Sequence, residues 1–232
     1  MFCMKCGVSL PDDANFCFKC GCDLRNLSQS VGTELSVVKV GGYVKFGRYP
    51  HNDDVNKEPI EWLVLEVYGN EALLISRYGL DCEQYNYECV SLTWEKCHLR
   101  KWLNNDFLKA AFSVGEQRRI KHLKVANDDN RKYGTRGGNS TRDRFFCLSL
   151  AEAEWYFKND DERKCKPTVY ARNQGVTVND SNGCCMWWLR SPGSYQDIAS
   201  YVDADGVLVP FGLTSFSGLA AVRPAVWVNL ES

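Results

Sequence analysis

Four cysteines open the chain, Cys3-Met-Lys-Cys6-Gly7 and then Cys17-Phe-Lys-Cys20-Gly21. Two Cys-x-x-Cys pairs put four thiolates on two short turns, which is the donor set one tetrahedral Zn²⁺ closes around. Gly7 and Gly21 suit such knuckles, because without a Cβ the backbone takes φ > 0 and aims its amides at sulfur. The intervening Ser9, Pro11, Asp12, Asp13 and Asn15 are polar and turn-forming, which argues against four disulfide-bonded or core cysteines. We expect a zinc ribbon over residues 1–25, with Cys3, Cys6, Cys17 and Cys20 holding one structural Zn²⁺. So short a segment buries little core, so the metal supplies most of its folding energy.

Beyond the ribbon, catalytic signals are thin. His51, His98 and His122 stand far apart, with no nucleophile or metal spacing. His98 and His122 fall on what reads as polar helix faces. Gly134-Thr-Arg-Gly137-Gly138 has no strand–loop–helix context and no following Lys-Ser/Thr, so it is not a phosphate loop. Asp53-Asp54, Asp128-Asp129 and Asp160-Asp161-Glu162 sit in loops and read as solvated turns. Cys184-Cys185, next to Trp187-Trp188, has two readings. Either these are small apolar side chains beside a core strand, or they join Cys82, Cys89, Cys97 or Cys165 in a second metal or redox site. The richest stretch is Ser194–Ala221, with Tyr195, Gln196, Asp197, Ser200, Tyr201, Asp203, Asp205, Phe211, Ser215 and Phe216 among glycines. Rigid aromatics with small polar residues are the composition of binding surfaces. An ordinary meander with aromatic cross-strand pairs has the same composition.

The elements that must position these residues emerge from the pattern. The chain has 232 residues, enough for the ribbon and one single-core domain. Polar, unpatterned residues 26–38 read as a linker, and residues 39–232 as the second domain. Tyr43–Phe46 alternates as a strand, and Ile60–Val67 turns at Gly69-Asn70 and returns as Ala72–Ile75, a β-hairpin. Leu99, Trp102, Leu103 and Phe107 recur at helical spacing. Ser113-Val-Gly-Glu116 and Ser149-Leu-Ala-Glu152 are capping boxes that start helices over about 114–124 and 150–158. Residues 127–144 read as a long surface loop, and everything after Asp160 as a strand meander. Strands, then helices, then strands give an α+β class with helices packed on a mostly antiparallel sheet. Net charge is −1, so no global basic field draws the chain to nucleic acid, which leaves only Lys5, Lys19 and Arg25 of the ribbon for that role. No apolar run approaches membrane-spanning length, and the ribbon begins where a secretory leader would. Twelve scattered cysteines with four assigned to zinc fit a reducing cytoplasm.

Several segments together resemble the bacterial DUF6273 family. They are Tyr43-Val-Lys-Phe-Gly-Arg-Tyr-Pro50, Pro59-Ile-Glu-Trp-Leu-Val64, Leu73-Leu-Ile-Ser76, Leu99-Arg-Lys-Trp-Leu-Asn104, Leu148-Ser-Leu-Ala-Glu-Ala153, Trp187-Trp-Leu-Arg-Ser-Pro-Gly193 and Val222-Arg-Pro-Ala225. The resemblance covers roughly residues 40–230, and a zinc ribbon is a common companion in that family. The Trp-Trp strand, a varied stretch and Val-Arg-Pro also resemble C-type lectin-like domains of the formylglycine-generating-enzyme type. Such domains serve as variable proteins of diversity-generating retroelements. That resemblance implies a diversified, ligand-contacting surface at Ser194–Ala221, framed by Trp187, Trp188, Arg190, Arg223 and Pro224. It implies a protein or peptide partner rather than a reaction. The calcium motifs of sugar-binding lectins are absent, Glu58-Pro59-Ile60 being nearest, and the cysteine pair of the oxidase relatives has no match. Neither activity is carried over.

Overall fold

The computed structural model describes residues 38–231, together with Val8, Phe16, Lys19 and Cys20. The chain divides into two compact units, 1–34 and 35–232. The ribbon ligands Cys3, Cys6 and Cys17 and the linker up to residue 37 lie outside the described residues.

In chain order the strands of the larger unit are β1 (Tyr43–Pro50), β2 (Lys57–Tyr68), β3 (Glu71–Ser76), β4 (Leu123–Val125), β5 (Thr141–Asp143), β6 (Phe145–Phe146), β7 (Trp187–Pro192), β8 (Ile198–Val202), β9 (Leu208–Thr214) and β10 (Ala225–Asn229). Its helices are α1 (His98–Trp102), continued by a π turn at Leu103–Phe107 into α2 (Leu108–Ala111), then α3 (Val114–Arg119), α4 (Leu150–Tyr156), α5 (Asp160–Arg163) and α6 (Val169–Asn173). Three antiparallel sheets result, with orders β1-β2-β3-β10-β6, β4-β5 and β7-β8-β9. The domain is thus mixed, with antiparallel sheets and short helices, as the α+β expectation has it.

The hairpin of β2 and β3 closes at Gly69-Asn70, with Tyr68 opposite Glu71. Gly69 takes φ +56°, a backbone that favours glycine. The meander of β7, β8 and β9 is present, but the last strand departs from it. Residues 225–229 pair with β3, Ala225 opposite Ile75, and with β6, Ala225 opposite Phe146. Ala225, Val226 and Val228 are buried, so both faces of β10 are apolar enough for a central strand.

Both capping boxes form, with the Ser113 and Ser149 side chains accepting from the Glu116 and Glu152 amides. The first helix is shorter than expected, ending at Arg119. Ile120 is extended and buried, bridges Val228, and hands the chain to the sheet edge through Lys121 N–H to Trp227 O at 2.9 Å. Burial of one isoleucine beside β10 therefore outweighs the helix propensity of the residues after it. The remainder, with His122, becomes β4 and its approach. It pairs with β5 inside what reads as a loop from sequence, Val125 opposite Thr141.

Large aromatics fill the core, and each buried indole finds an acceptor. Trp62 donates to Phe46 O, Trp94 to Asp143, Trp187 to Arg163 O and Trp188 to Glu83 O, at 2.7–3.1 Å. Burying four such rings while satisfying each N–H fixes the relative position of sheets and helices.

Candidate functional site

The sheet β7-β8-β9 carries the stretch from Ser194 to Ala221. β7 is buried along its whole length, which makes Trp187, Trp188 and Arg190 frame rather than surface. The turn after it is tight, because a Cβ on Gly193 would stand 2.5 Å from Ile198 Cγ2 and 2.6 Å from Phe211 O. Ser194 N–H then donates to Phe211 O at 2.7 Å, tying the turn to β9. Three predicted aromatics are exposed on this scaffold: Tyr195 (66%), Phe211 (53%) and Phe216 (44%). Tyr201 is half-buried on β8.

The predicted polar contacts divide differently. Ser200 and Ser215 are buried, contrary to a contacting role. The Ser200 hydroxyl donates to Pro192 O at 2.7 Å, and that of Ser215 to Glu88 O at 3.4 Å. Ser200 lies in β8, where sequence alone does not say which face of a period-two strand turns in, and Ser215 lies in the turn just after β9. Gln196 spends its amide on Leu92 O and Arg136 O, both at 2.9 Å. Asp203 caps the β8–β9 turn by accepting from the Asp205 and Val207 amides. Asp205 accepts from Asn182, and Asp197 from the Cys89 thiol at 3.3 Å. These groups hold the loops, and the aromatics are what the loops present.

Sequence reasoning missed the neighbouring loop. The buried Asn130 side chain donates to Pro192 O and Pro210 O, both at 2.8 Å, and so clamps residues 127–139 onto the sheet. Thr135 donates to Ser194 O at 3.1 Å. Tyr133 thereby meets Phe211 edge-on, ring centres 6.2 Å apart, with Lys132 over its face at 5.6 Å. Beside this pair lies a cleft of about 290 Å³ lined by Asp128, Lys132, Leu150, Glu154, Leu208 and Pro210 among others. Trp155, next in α4, is 82% exposed. The available signal was the length of a polar loop between regular elements, where binding residues concentrate. Phe216 makes no ring contact with this group among the described residues. It lies where Gln84 donates to its carbonyl at 2.7 Å.

Among the described residues the cysteines beyond the ribbon offer no second metal centre, since no three His, Cys, Asp or Glu side chains are placed to hold a metal ion. Burial pushes the thiols of Cys82 and Cys97 up to about 11 and about 12, so neither is a nucleophile at neutral pH. Cys185 does find a partner, its thiol reaching Cys165 O at 3.4 Å. Burial opposes ionisation of Cys165, but the Cys185 thiol donating to it and the charge of Arg223 outweigh that and lower it. Cys185, which keeps the proton, is pushed up. Both are 1% exposed or less, and the apolar core-strand reading describes them better than an open reactive site. Cys184 turns away from them, toward Asn182 O at 3.7 Å.

Fold and site define a mixed α/β domain with antiparallel sheets and an exposed aromatic face, preceded by a ribbon with four candidate thiolate ligands. Residues 69–230 match the family described as "Domain of unknown function (DUF6273)", and the chain belongs to that family. Residues 2–24 match the zinc-ribbon domain. That match spans all four cysteines, and a set of four thiolates fits tetrahedral Zn²⁺. No curated protein and no solved structure matches the chain. The family match begins after β1 and β2, although both pair directly into the sheet that continues through β3. Among the described residues no helix is long and apolar enough to cross a membrane.

Proposed function

We propose that this protein is a recognition module, not an enzyme, and that it binds a protein or peptide through the face made by Tyr133, Tyr195 and Phe211 and the adjoining cleft. In this reading the domain is a C-type lectin-like variant, the stretch from Ser194 to Ala221 is its variable surface, and the ribbon with one structural Zn²⁺ is a tether. The observation that carries it is the contrast on one sheet. Polar side chains are consumed in bracing the loops, while rigid aromatic rings are left uncovered. Such rings supply contact area at small entropic loss and are the usual anchors of protein interfaces. Among the described residues Cys82, Cys89, Cys97, Cys147, Cys165, Cys184 and Cys185 form no disulfide, which supports a reducing, cytoplasmic setting.

A displayed random-peptide library selected on the full-length, zinc-loaded chain tests this directly. Peptides that enrich should lose about 1–3 kcal/mol of binding for each of Tyr133→Ala, Tyr195→Ala and Phe211→Ala, with smaller losses for Tyr201→Ala and Phe216→Ala. Affinities unchanged across all five variants would sink the assignment. The diversification part has its own test in the DNA around the gene. It requires a near-duplicate of codons 187–223 with mismatches at adenines, beside a reverse transcriptase.

A further inference from the structure

Among the described residues three arginines are buried, at 8% exposure or less: Arg163, Arg190 and Arg223. Two have a carboxylate. Arg163 pairs with Asp160 and Arg190 with Glu152. Arg223 has none among the described residues. Its Nε donates to Ser76 O at 3.0 Å and one Nη to Arg163 O at 3.1 Å. Its plane lies against Trp187 at 4.8 Å and Phe157 at 5.3 Å. The other Nη has no partner among the described residues. A guanidinium taken out of water keeps a large part of its desolvation cost unless an anion meets it.

Arg223 lines a cleft of about 720 Å³, distinct from the aromatic face, bounded by the β1–β3 side of the large sheet and by the stretch from Tyr156 to Lys166. Five cationic side chains line it, Arg77, Lys158, Lys164, Lys166 and Arg223, against two carboxylates, Asp161 and Glu162. Arg77 is matched by Glu61 at 2.7 Å and Lys164 by Asp161 at 2.6 Å. Among the described residues Lys158, Lys166 and Arg223 are left without ion pairs on one concave surface. Tyr43, Tyr78 and Tyr156 supply aromatic wall.

We propose that this cleft binds a small phosphate monoester with an aromatic or apolar body. The phosphate would sit against the free Nη of Arg223 and the ammonium groups of Lys158 and Lys166, and the body against the tyrosines. The Nε–H of Arg223 and one N–H of an Nη are already taken by carbonyls, so the side-on fork that needs the Nε–H is closed. What remains is the N–H groups on the two Nη atoms not spent on Arg163 O, plus two mobile ammonium charges, a cationic surplus that suits a tetrahedral dianion with several oxygens better than a monoanionic carboxylate. The neighbouring Cys165 side chain is buried beside Arg223 and does not line the cleft, so replacing it by serine should not weaken binding.

Isothermal titration of the full-length, zinc-loaded chain at low salt, with phenyl phosphate, inorganic phosphate, sulfate and benzoate, tests the proposal. Phenyl phosphate should bind with one-to-one stoichiometry, at least tenfold more tightly than inorganic phosphate, sulfate or benzoate. The exposed pair Lys158→Met/Lys166→Met should fold normally and lose at least tenfold. Arg223→Lys, which keeps the charge but loses the directed N–H groups, should also lose affinity if it folds, and Cys165→Ser should leave it unchanged. Equal, weak binding of all four anions, or an affinity indifferent to the lysine pair, would overturn the site. Binding of selected peptides to the aromatic face should be unmoved by the lysine pair, so failure here is separable from failure of the recognition reading.

Discussion

Glu152 does two jobs at once. It is the third residue of the α4 capping box, accepting from the Ser149 amide at 2.9 Å, and it is the counter-ion of Arg190, with one Nη at 2.6 Å. Arg190 also reaches Ala126 O and Cys147 O, so one guanidinium joins β7, α4 and the residues that directly follow β4 and β6. Glu152→Gln keeps the shape and removes the charge. It should cost about 2–3 kcal/mol, below the ~3–5 of fully buried pairs because the Glu152 side chain is one-third exposed. The check is the urea midpoint at unchanged slope. Asp81 presents the opposite case, an acid that the fold does not fully support. It is 5% exposed and accepts from Tyr49 and the Cys82 amide, yet burial outweighs these bonds and raises it from 3.8 to about 6. The folded state then holds this proton more tightly than the unfolded chain. Stability from Asp81 is complete below about pH 4 and is lost as pH rises through about 6, by roughly 3 kcal/mol at most. Urea midpoints of the wild type should therefore fall between pH 4 and 7 relative to Asp81→Asn. Parallel pH profiles would remove the claim.

At the scale of elements, what was legible in the sequence was what local chemistry decides. The capping serines, the two-residue hairpin turn and the Leu99–Phe107 periodicity each name their element through contacts a few residues apart. What was not legible depends on distant partners. Nothing near Ile120 announces its bridge to Val228, and nothing in Val222–Val228 says that it leaves the meander for the first sheet. The candidate surface shows the same split. Tyr195 and Phe211 are exposed as their setting suggested, but Ser200 and Ser215 turned inward and Tyr133 arrived from a loop pinned by Asn130. The shape of the β8–β9 ribbon rests on Gly212, at φ +93°, where a Cβ would meet Ile198 Cγ2 at 2.5 Å and Ala199 O at 2.7 Å. Gly212→Ala should destabilise by roughly 1–3 kcal/mol through left-handed strain and this clash. It should also weaken peptide binding, because Phe211 precedes the kink. Thermal unfolding and peptide affinity measured on the same variant check both, and a stable variant with intact binding would mean the kink does not hold the face.

For the whole molecule, the two units draw on different sources of stability. Residues 35–232 bury a continuous aromatic and aliphatic core from Val44 to Val228. Residues 1–34 are too few to do likewise, and their family match spans the four cysteines that would hold Zn²⁺. Metal binding to such a segment is folding free energy, because the tetrahedral site does not exist in the unfolded chain. Elemental analysis should find one zinc per chain, and Cys17→Ser or a strong chelator should remove it. The cooperative unfolding of the larger unit should persist, its midpoint shifted by no more than about 2 °C, since a two-state core of this size does not depend on the metal. Near-ultraviolet circular dichroism is the suitable probe, because all seven tryptophans lie beyond residue 60 and report on that unit alone. A zinc-free chain whose tryptophan signal collapsed would show that the ribbon is part of the domain's own folding unit. The tether role would then give way to a single metal-dependent fold.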